Sequence, residues 1–140
     1  MEDFRNISKH DRIQKEIVST CQDLGIKATQ EYRGNGGRAD VYSPNNNKPI
    51  AFEIQVSPQT LKRTLDRQSK YIKDGIIGCW FFENPVSKLN EERPDLPLFY
   101  VEDQINSRLQ VNLSDRRKVD LHTFLQNFIS SNIQFKSIAI

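Results

Sequence analysis

Asp40 and Glu53 are the residues of this sequence best placed to do chemistry together. Twelve residues separate them. In Ile50–Val56, Ile50, Phe52, Ile54 and Val56 alternate with Ala51, Glu53 and Gln55. That is the period of a β-strand with one apolar face and one face carrying a carboxylate and an amide. Arg38–Tyr42 alternates as well, Ala39 and Val41 against Arg38, Asp40 and Tyr42. Between the two lies Ser43-Pro44-Asn45-Asn46-Asn47-Lys48-Pro49, a run of turn formers. The simplest structure is a β-hairpin. With Tyr42 opposite Ala51, Asp40 falls opposite Glu53 on the same face. Two carboxylates directly across a strand pair repel, and a divalent cation is the obvious group to offset them. The same residues also read as nothing more than the polar outer face of a hairpin. Spacing alone leaves both readings open.

The next stretch brings positive charge. Ser57-Pro58 suits an N-cap and first helical residue, and the pattern predicts a helix from Pro58 to about Lys73, closed by Gly75. Leu61, Leu65, Gln68 and Ile72 make one stripe, and Lys62, Arg63, Arg67, Lys70 and Lys73 decorate the rest. This is the most basic segment of the chain. It reads equally as a solvated helix or as one facing a phosphate backbone. Arg67 and Tyr71 lie four apart on one face, so they can act together.

Other elements must position these side chains. Ile13, Ile17, Val18, Cys21 and Leu24 recur at helical spacing, which predicts a helix over 8–24 capped by Ser8 or Asp11 and ended by Gly25. Glu16 borders its apolar stripe. Ile26–Arg33 predicts a strand with Ile26, Ala28, Gln30 and Tyr32 on one face, and Gly34-Asn35-Gly36-Gly37 a tight turn. The apolar run Ile76–Phe82 predicts a central strand covered on both faces, with Trp80 in the core. Residues 84–97 hold Pro85, Pro94 and Pro97 and predict a long loop. Two short strands come next, at Leu98–Val101 and Leu109–Leu113. Ser114 is expected to cap a last helix whose apolar face is Leu121, Phe124, Leu125, Phe128 and Ile129, with Arg116, Arg117 and Lys118 crowding its start. The tail from Asn132 has a weak strand pattern.

The chain has 140 residues, the size of one domain spanning 1–140. Its 20 basic and 18 acidic side chains leave a net charge of only +2, too balanced to point to nucleic acid by itself. Cys21 lies in a helical pattern and Cys79 in an apolar run, and no CxxC or Cys/His cluster exists, which argues against a zinc site and for a reducing compartment. No apolar run approaches a membrane span or a signal peptide, so a cytoplasmic protein without a membrane partner is expected.

Asp40 and Glu53-Ile54-Gln55, in helix–strand–strand–strand–helix–strand order, resemble the PD-(D/E)XK nuclease superfamily. The wording Arg38-Ala39-Asp40-Val41, Ala51-Phe52-Glu53-Ile54-Gln55-Val56-Ser57, Arg67 with Tyr71, Gly75-Ile76 and Trp80 is most similar to the nuclease domain of the competence-protein CoiA-like family. The resemblance is strong over residues 36–83. It implies an α/β (α+β) fold: a restriction-endonuclease-like mixed β-sheet core with flanking helices, in the order α-β-β-β-α-β-β-β-α. It implies hydrolysis of DNA phosphodiester bonds with Mg²⁺ or Mn²⁺. The ligands so implied are Asp40, Glu53 and the backbone carbonyl of Ile54, with Glu16 as a helix-borne acid. Asp40, Glu53 and Gln55 are the implied catalytic residues. Gln55 stands where the superfamily usually has lysine, as the CoiA-like branch does. It keeps hydrogen-bonding reach and loses the positive charge. Arg67, Tyr71, Arg38, Lys62 and Arg63 are the expected nucleic-acid contacts. DNA is the expected partner, with a homodimer or larger nucleoprotein complex as a further expectation. The alternative is a nuclease-fold module, weak or inactive in catalysis, that binds DNA or a protein partner in a defence, repair or mobile-element complex.

Overall fold

A computed structural model describes residues 4–34, 37–44, 48–56, 60–83, 96–102, 109–113 and 117–130, with the side chains of 4–8, 34 and 37 left aside. Helix α1 spans Phe4–Asp23. Strands β1 (Thr29–Gly34), β2 (Gly37–Ser43) and β3 (Ile50–Gln55) come after it, then α2 (Leu61–Lys73) and β4 (Ile77–Phe82). Strands β5 (Leu98–Glu102), β6 (Gln110–Asn112) and β7 (Lys118–Asp120) lead to α3 (Leu121–Ile129). The seven strands form one mixed sheet in chain order. β1, β2 and β3 are antiparallel, β3, β4 and β5 parallel, and β5, β6 and β7 antiparallel again. The fold is α+β, in the expected element order but for one added strand, β7.

Each face of the sheet has its own cover. Ile13, Ile17 and Cys21 of α1 and Phe124, Leu125 and Phe128 of α3 pack on Val41, Ile50, Phe52, Ile54, Cys79 and Phe81. Tyr71 of α2 packs on the other face, with Ala39, Ala51, Trp80, Phe82 and Leu98. β3 and β4 are therefore buried on both sides, as parallel strands joined by a crossover helix must be. That corrects the simple picture of Ala51, Glu53 and Gln55 as a solvated face. Glu53 is 4% exposed, beneath α2. Gly78 makes the α2 contact possible. A Cβ there would lie 2.1 Å from Gln68 Oε1, the atom that accepts the Trp80 indole N–H at 2.7 Å.

Several boundaries differ from the pattern reading, each for a local reason. α2 begins at Leu61, where the Thr60 side chain accepts the Arg63 N–H. Ser57 and Pro58 lie outside the described residues. α3 begins at Leu121 with Asp120 as its N-cap, accepting the Thr123 N–H. Lys118 belongs to β7, paired with Asn112, and Arg117 precedes that strand, so these two cations do not sit at the start of α3. Ser114 and Arg116 lie outside the described residues, as do 84–95 of the expected loop and the tail. The register Tyr42↔Ala51 is the one expected from parity.

β1 departs most from regular alternation. Gln30 faces α1, donating to Asp11 and Gln14. Tyr32, two residues on, instead stacks at 4.0 Å on Tyr42, which packs with the α2 side. Glu31 lies between them with a φ of 55°. Its neighbour strand switches faces at the same level, because Val41 belongs to the α1 side and Ala39 to the α2 side. A left-handed residue in a strand is uncommon and re-aims the side chains after it. The switch brackets Asp40.

Candidate functional site

The rungs between β2 and β3 run Ser43↔Ile50, Tyr42↔Ala51 and Val41↔Phe52. The rungs stop short of Asp40 and Glu53: Asp40 meets His10 from the α1 side and Glu53 meets Arg67 and Tyr71 from α2, so the two carboxylates do not share the one face that parity predicts. Here the two strands trade backbone partners for side chains. The Ile54 N–H donates to Asp40 Oδ2 at 2.9 Å. The Arg38 carbonyl turns to α2 and accepts from Arg67 Nη2 at 2.8 Å. A carboxylate thus closes the end of the ladder and stays partly open, at 16% side-chain exposure.

On the α1 side, His10 reaches the same point. Its Nε2 lies 3.3 Å from Asp40 Oδ2 and 3.2 Å from the Ile54 carbonyl oxygen. The Asp40 hydrogen bond raises the imidazole above its usual pKa against the opposing effect of burial. Glu31 is the third member. Ligand atoms of His10, Glu31 and Asp40 all lie within 4.8 Å of one another. Gln14, itself buried, donates to Glu31 Oε2 at 2.6 Å, and Arg38 donates to Oε1 at 2.9 Å. Those two bonds, Gln14 first, hold the Glu31 carboxyl below its usual pKa.

Glu53 is held on the opposite side. Arg67 grips it as a fork, Nη1 to Oε1 at 3.1 Å and Nη2 to Oε2 at 3.2 Å. The Tyr71 hydroxyl donates to Oε2 and lies 3.2 Å from the Arg38 carbonyl. Arg67 also lies over the Trp80 ring, 5.7 Å from its centre. Burial pushes the Glu53 carboxyl up to about 7, helped by the charge of Asp40 and opposed by Tyr71 and Arg67. Desolvation is the largest effect and outweighs the Tyr71 hydrogen bond and the Arg67 charge.

The structure gathers some expected residues and disperses others. Asp40 and Ile54 meet where β2 and β3 part, the Asp40 carboxylate accepting the Ile54 N–H, while Glu53 turns to Arg67 and Tyr71 on the α2 side. Gln55 comes next, at the end of β3, half-buried, paired in register with Phe82, and its carbonyl accepts the Glu83 N–H at 3.0 Å. Arg67 and Tyr71 converge on Glu53, and Tyr71 is too buried to touch a partner. Lys62 and Arg63 are exposed on α2, Lys62 bridging to Asp66. Glu16 lies elsewhere: its carboxylate accepts the Leu109 N–H at 2.9 Å beside β6. Six residues along α1 from His10, it sits about 9 Å up the axis and on another side. The helix-borne group beside Asp40 is His10, which spacing did not single out. The available signal was its place three residues before Ile13 on the buried stripe. Glu31 left no periodic signal, since its orientation comes from a backbone torsion.

The donor set suits a divalent cation. Two carboxylates, a carbonyl and an imidazole are its ordinary ligands, and here Glu31, Asp40, the Ile54 carbonyl and His10 converge from four elements, β1, β2, β3 and α1. No curated protein and no solved structure matches the chain. Residues 8–102 match the family described as competence protein CoiA, nuclease-like domain. That match covers about two thirds of the sequence and includes His10, Asp40, Glu53, Gln55, Arg67 and Trp80. The chain belongs to the CoiA nuclease-like domain family.

Proposed function

We propose that this chain hydrolyses DNA phosphodiester bonds with the help of a divalent cation, Mg²⁺ or Mn²⁺. The observation that carries the reading is a partly open Asp40 carboxylate fixed by the Ile54 N–H, with that carboxylate and the Ile54 carbonyl both within 3.3 Å of His10 Nε2 and with Glu53 buried in the next strand. Asp40, Glu53 and the Ile54 carbonyl would hold the cation. When bound, it supplies Lewis acidity toward the phosphate and a bound water of lowered pKa.

The chain's own residues do the rest. Asp40 keeps its place through the Ile54 N–H and stays partly exposed. Tyr71 and Arg67 fix the Glu53 carboxylate, and Tyr71 acts as a positioning residue. Arg67 is 38% exposed along its side chain, so its guanidinium faces solvent as well as Glu53. It can receive a phosphate oxygen from that side. Gln55 offers hydrogen bonds without charge and cannot serve as a base at neutral pH. Exposed Lys62 and Arg63 lie on the same helix as Arg67 and attract the phosphate backbone.

A second reading is a DNA- or protein-binding module with little or no catalysis, in a defence, repair or mobile-element complex. The Arg67 fork favours it, because both oxygens of Glu53 are already engaged. The test is incubation of purified protein with linear, circular and single-stranded DNA in Mg²⁺, Mn²⁺ or chelator. The expected result is metal-dependent cleavage that Asp40→Asn and Glu53→Gln abolish. DNA binding with no cutting under any metal would leave the binding module standing instead.

A further inference from the structure

We infer that His10 and Glu31 are metal ligands, joining Asp40 and the Ile54 carbonyl in a mixed nitrogen–oxygen shell that favours Mn²⁺ over Mg²⁺. This rests on the proposed cation site of Asp40, Glu53 and the Ile54 carbonyl and adds two ligands to it from the α1 side.

The distances are those of groups sharing one ion. Ligands bound at about 2.1 Å lie about 3.0 Å apart when they subtend a right angle, about 3.4 Å at the tetrahedral angle and about 4.2 Å when opposite. His10 Nε2 lies 3.3 Å from Asp40 Oδ2 and 3.2 Å from the Ile54 oxygen, both in the range of neighbouring ligands. The Glu31 oxygen lies within 4.8 Å of the other two side-chain donors, so a shift of about half an ångström completes the set.

Glu31 is supported as a ligand should be. The Gln14 amide that donates to it is itself tied to Gln30, and Gln30 to Asp11. Such outer hydrogen bonds fix a ligand's direction and raise its basicity. Its exposed pair with Arg38 does not account for this support, since surface ion pairs contribute little. The pair requires neither a buried glutamine nor a left-handed backbone at Glu31.

The donors also bias the choice of ion. Carboxylate and carbonyl oxygens suit Mg²⁺, whereas an imidazole nitrogen draws the site toward transition ions. Of Mg²⁺ and Mn²⁺, Mn²⁺ is the one that accepts an imidazole nitrogen beside the oxygen ligands more readily.

The experiment is a Mn²⁺ and Mg²⁺ titration of the full chain by calorimetry, with pulsed electron paramagnetic resonance of the Mn²⁺ complex. The expected spectrum carries nitrogen modulation from His10 in the wild type and none in His10→Ala. The variant should lose about tenfold or more in Mn²⁺ affinity and less in Mg²⁺ affinity, so the preference collapses. Glu31→Gln should weaken both ions. A wild-type Mn²⁺ complex without nitrogen modulation overturns the inference with no variant needed. An unchanged Mn²⁺/Mg²⁺ ratio in His10→Ala overturns it as well. The two readings fail separately. Nitrogen-coupled Mn²⁺ without DNA cleavage removes the nuclease and keeps the ligands. Metal-dependent cleavage indifferent to His10 does the reverse, and no Mn²⁺ binding at all removes both.

Discussion

Glu53 is asked to be buried and to be charged, and its surroundings meet the demands unequally. Its carboxyl rises to about 7 from an ordinary 4.5, with burial as the leading cause. A folded-state pKa above the unfolded one means the native chain binds the proton more tightly. The associated stability is present below about 4.5 and is lost as pH rises through about 7. His10 has the same sign: its raised pKa gives stability at low pH that is lost as its folded-state value is passed. Thermal melts in chelator should therefore show Glu53→Gln gaining on wild type between pH 5 and pH 8. A constant difference across that range would show that Glu53 titrates normally. At this scale the sequence was half legible. Alternation placed Asp40 and Glu53 on neighbouring strands, but the face switch around Asp40, which no alternation encodes, turns it toward α1 and away from the face of Glu53. His10 stayed hidden because it meets the Ile54 carbonyl across 44 residues. Glu31 stayed hidden because a φ of 55° turns it, and no periodicity encodes one torsion.

At the scale of elements, the site depends on how α2 seats on the sheet. Thr60 starts this helix, and Gly75, at a φ of 75°, lies just past its end. Between them the helix lowers Gln68 onto the Trp80 indole and Tyr71 onto Glu53. Gly78→Ala would place a methyl 2.1 Å from Gln68 Oε1 and 3.0 Å from the Tyr71 ring. Overpacking of this kind costs about 1–3 kcal/mol. Urea unfolding should show that loss, and metal-dependent cleavage should fall beyond the loss of folded protein, because Tyr71 and Arg67 move with the helix. Retention of full specific activity would mean that the helix position is immaterial to the site. Strand β4 and the β2–β3 register were legible because apolar runs and alternation report burial directly. The start of α3 was not. Ser114 and Asp120 are equally good caps in isolation, and the pairing of Lys118 with Asn112 in β7 decides between them.

For the whole molecule, charge is nearly balanced at +2, so attraction to DNA must come from where the cations stand. The sheet separates the two kinds of work. α1 and α3 cover one face with the main apolar cluster, and α2 covers the other with Lys62, Arg63 and Arg67 toward or near solvent. Lys62→Ala with Arg63→Ala should weaken DNA binding uniformly across sequences. It should also flatten the dependence of log affinity on log salt by about 2, near one unit per phosphate contact. Mobility-shift titrations at several salt concentrations read both quantities. An unchanged slope would move the DNA path off α2. This division of faces was only partly legible, since composition counts charges without saying which side of a sheet carries them.

The hydrogen bond from the Ile54 N–H to Asp40 has a consequence for descent. One carboxylate both ends a strand pairing and stands ready for chemistry. A descendant that gave up cutting and kept only binding would still be selected to keep that aspartate, or lose the closing bond of its β2–β3 ladder. Retention of Asp40 among relatives is thus weak testimony of activity. The partly exposed imidazole of His10 costs a fold little to lose, so its presence or decay across a lineage is the better witness.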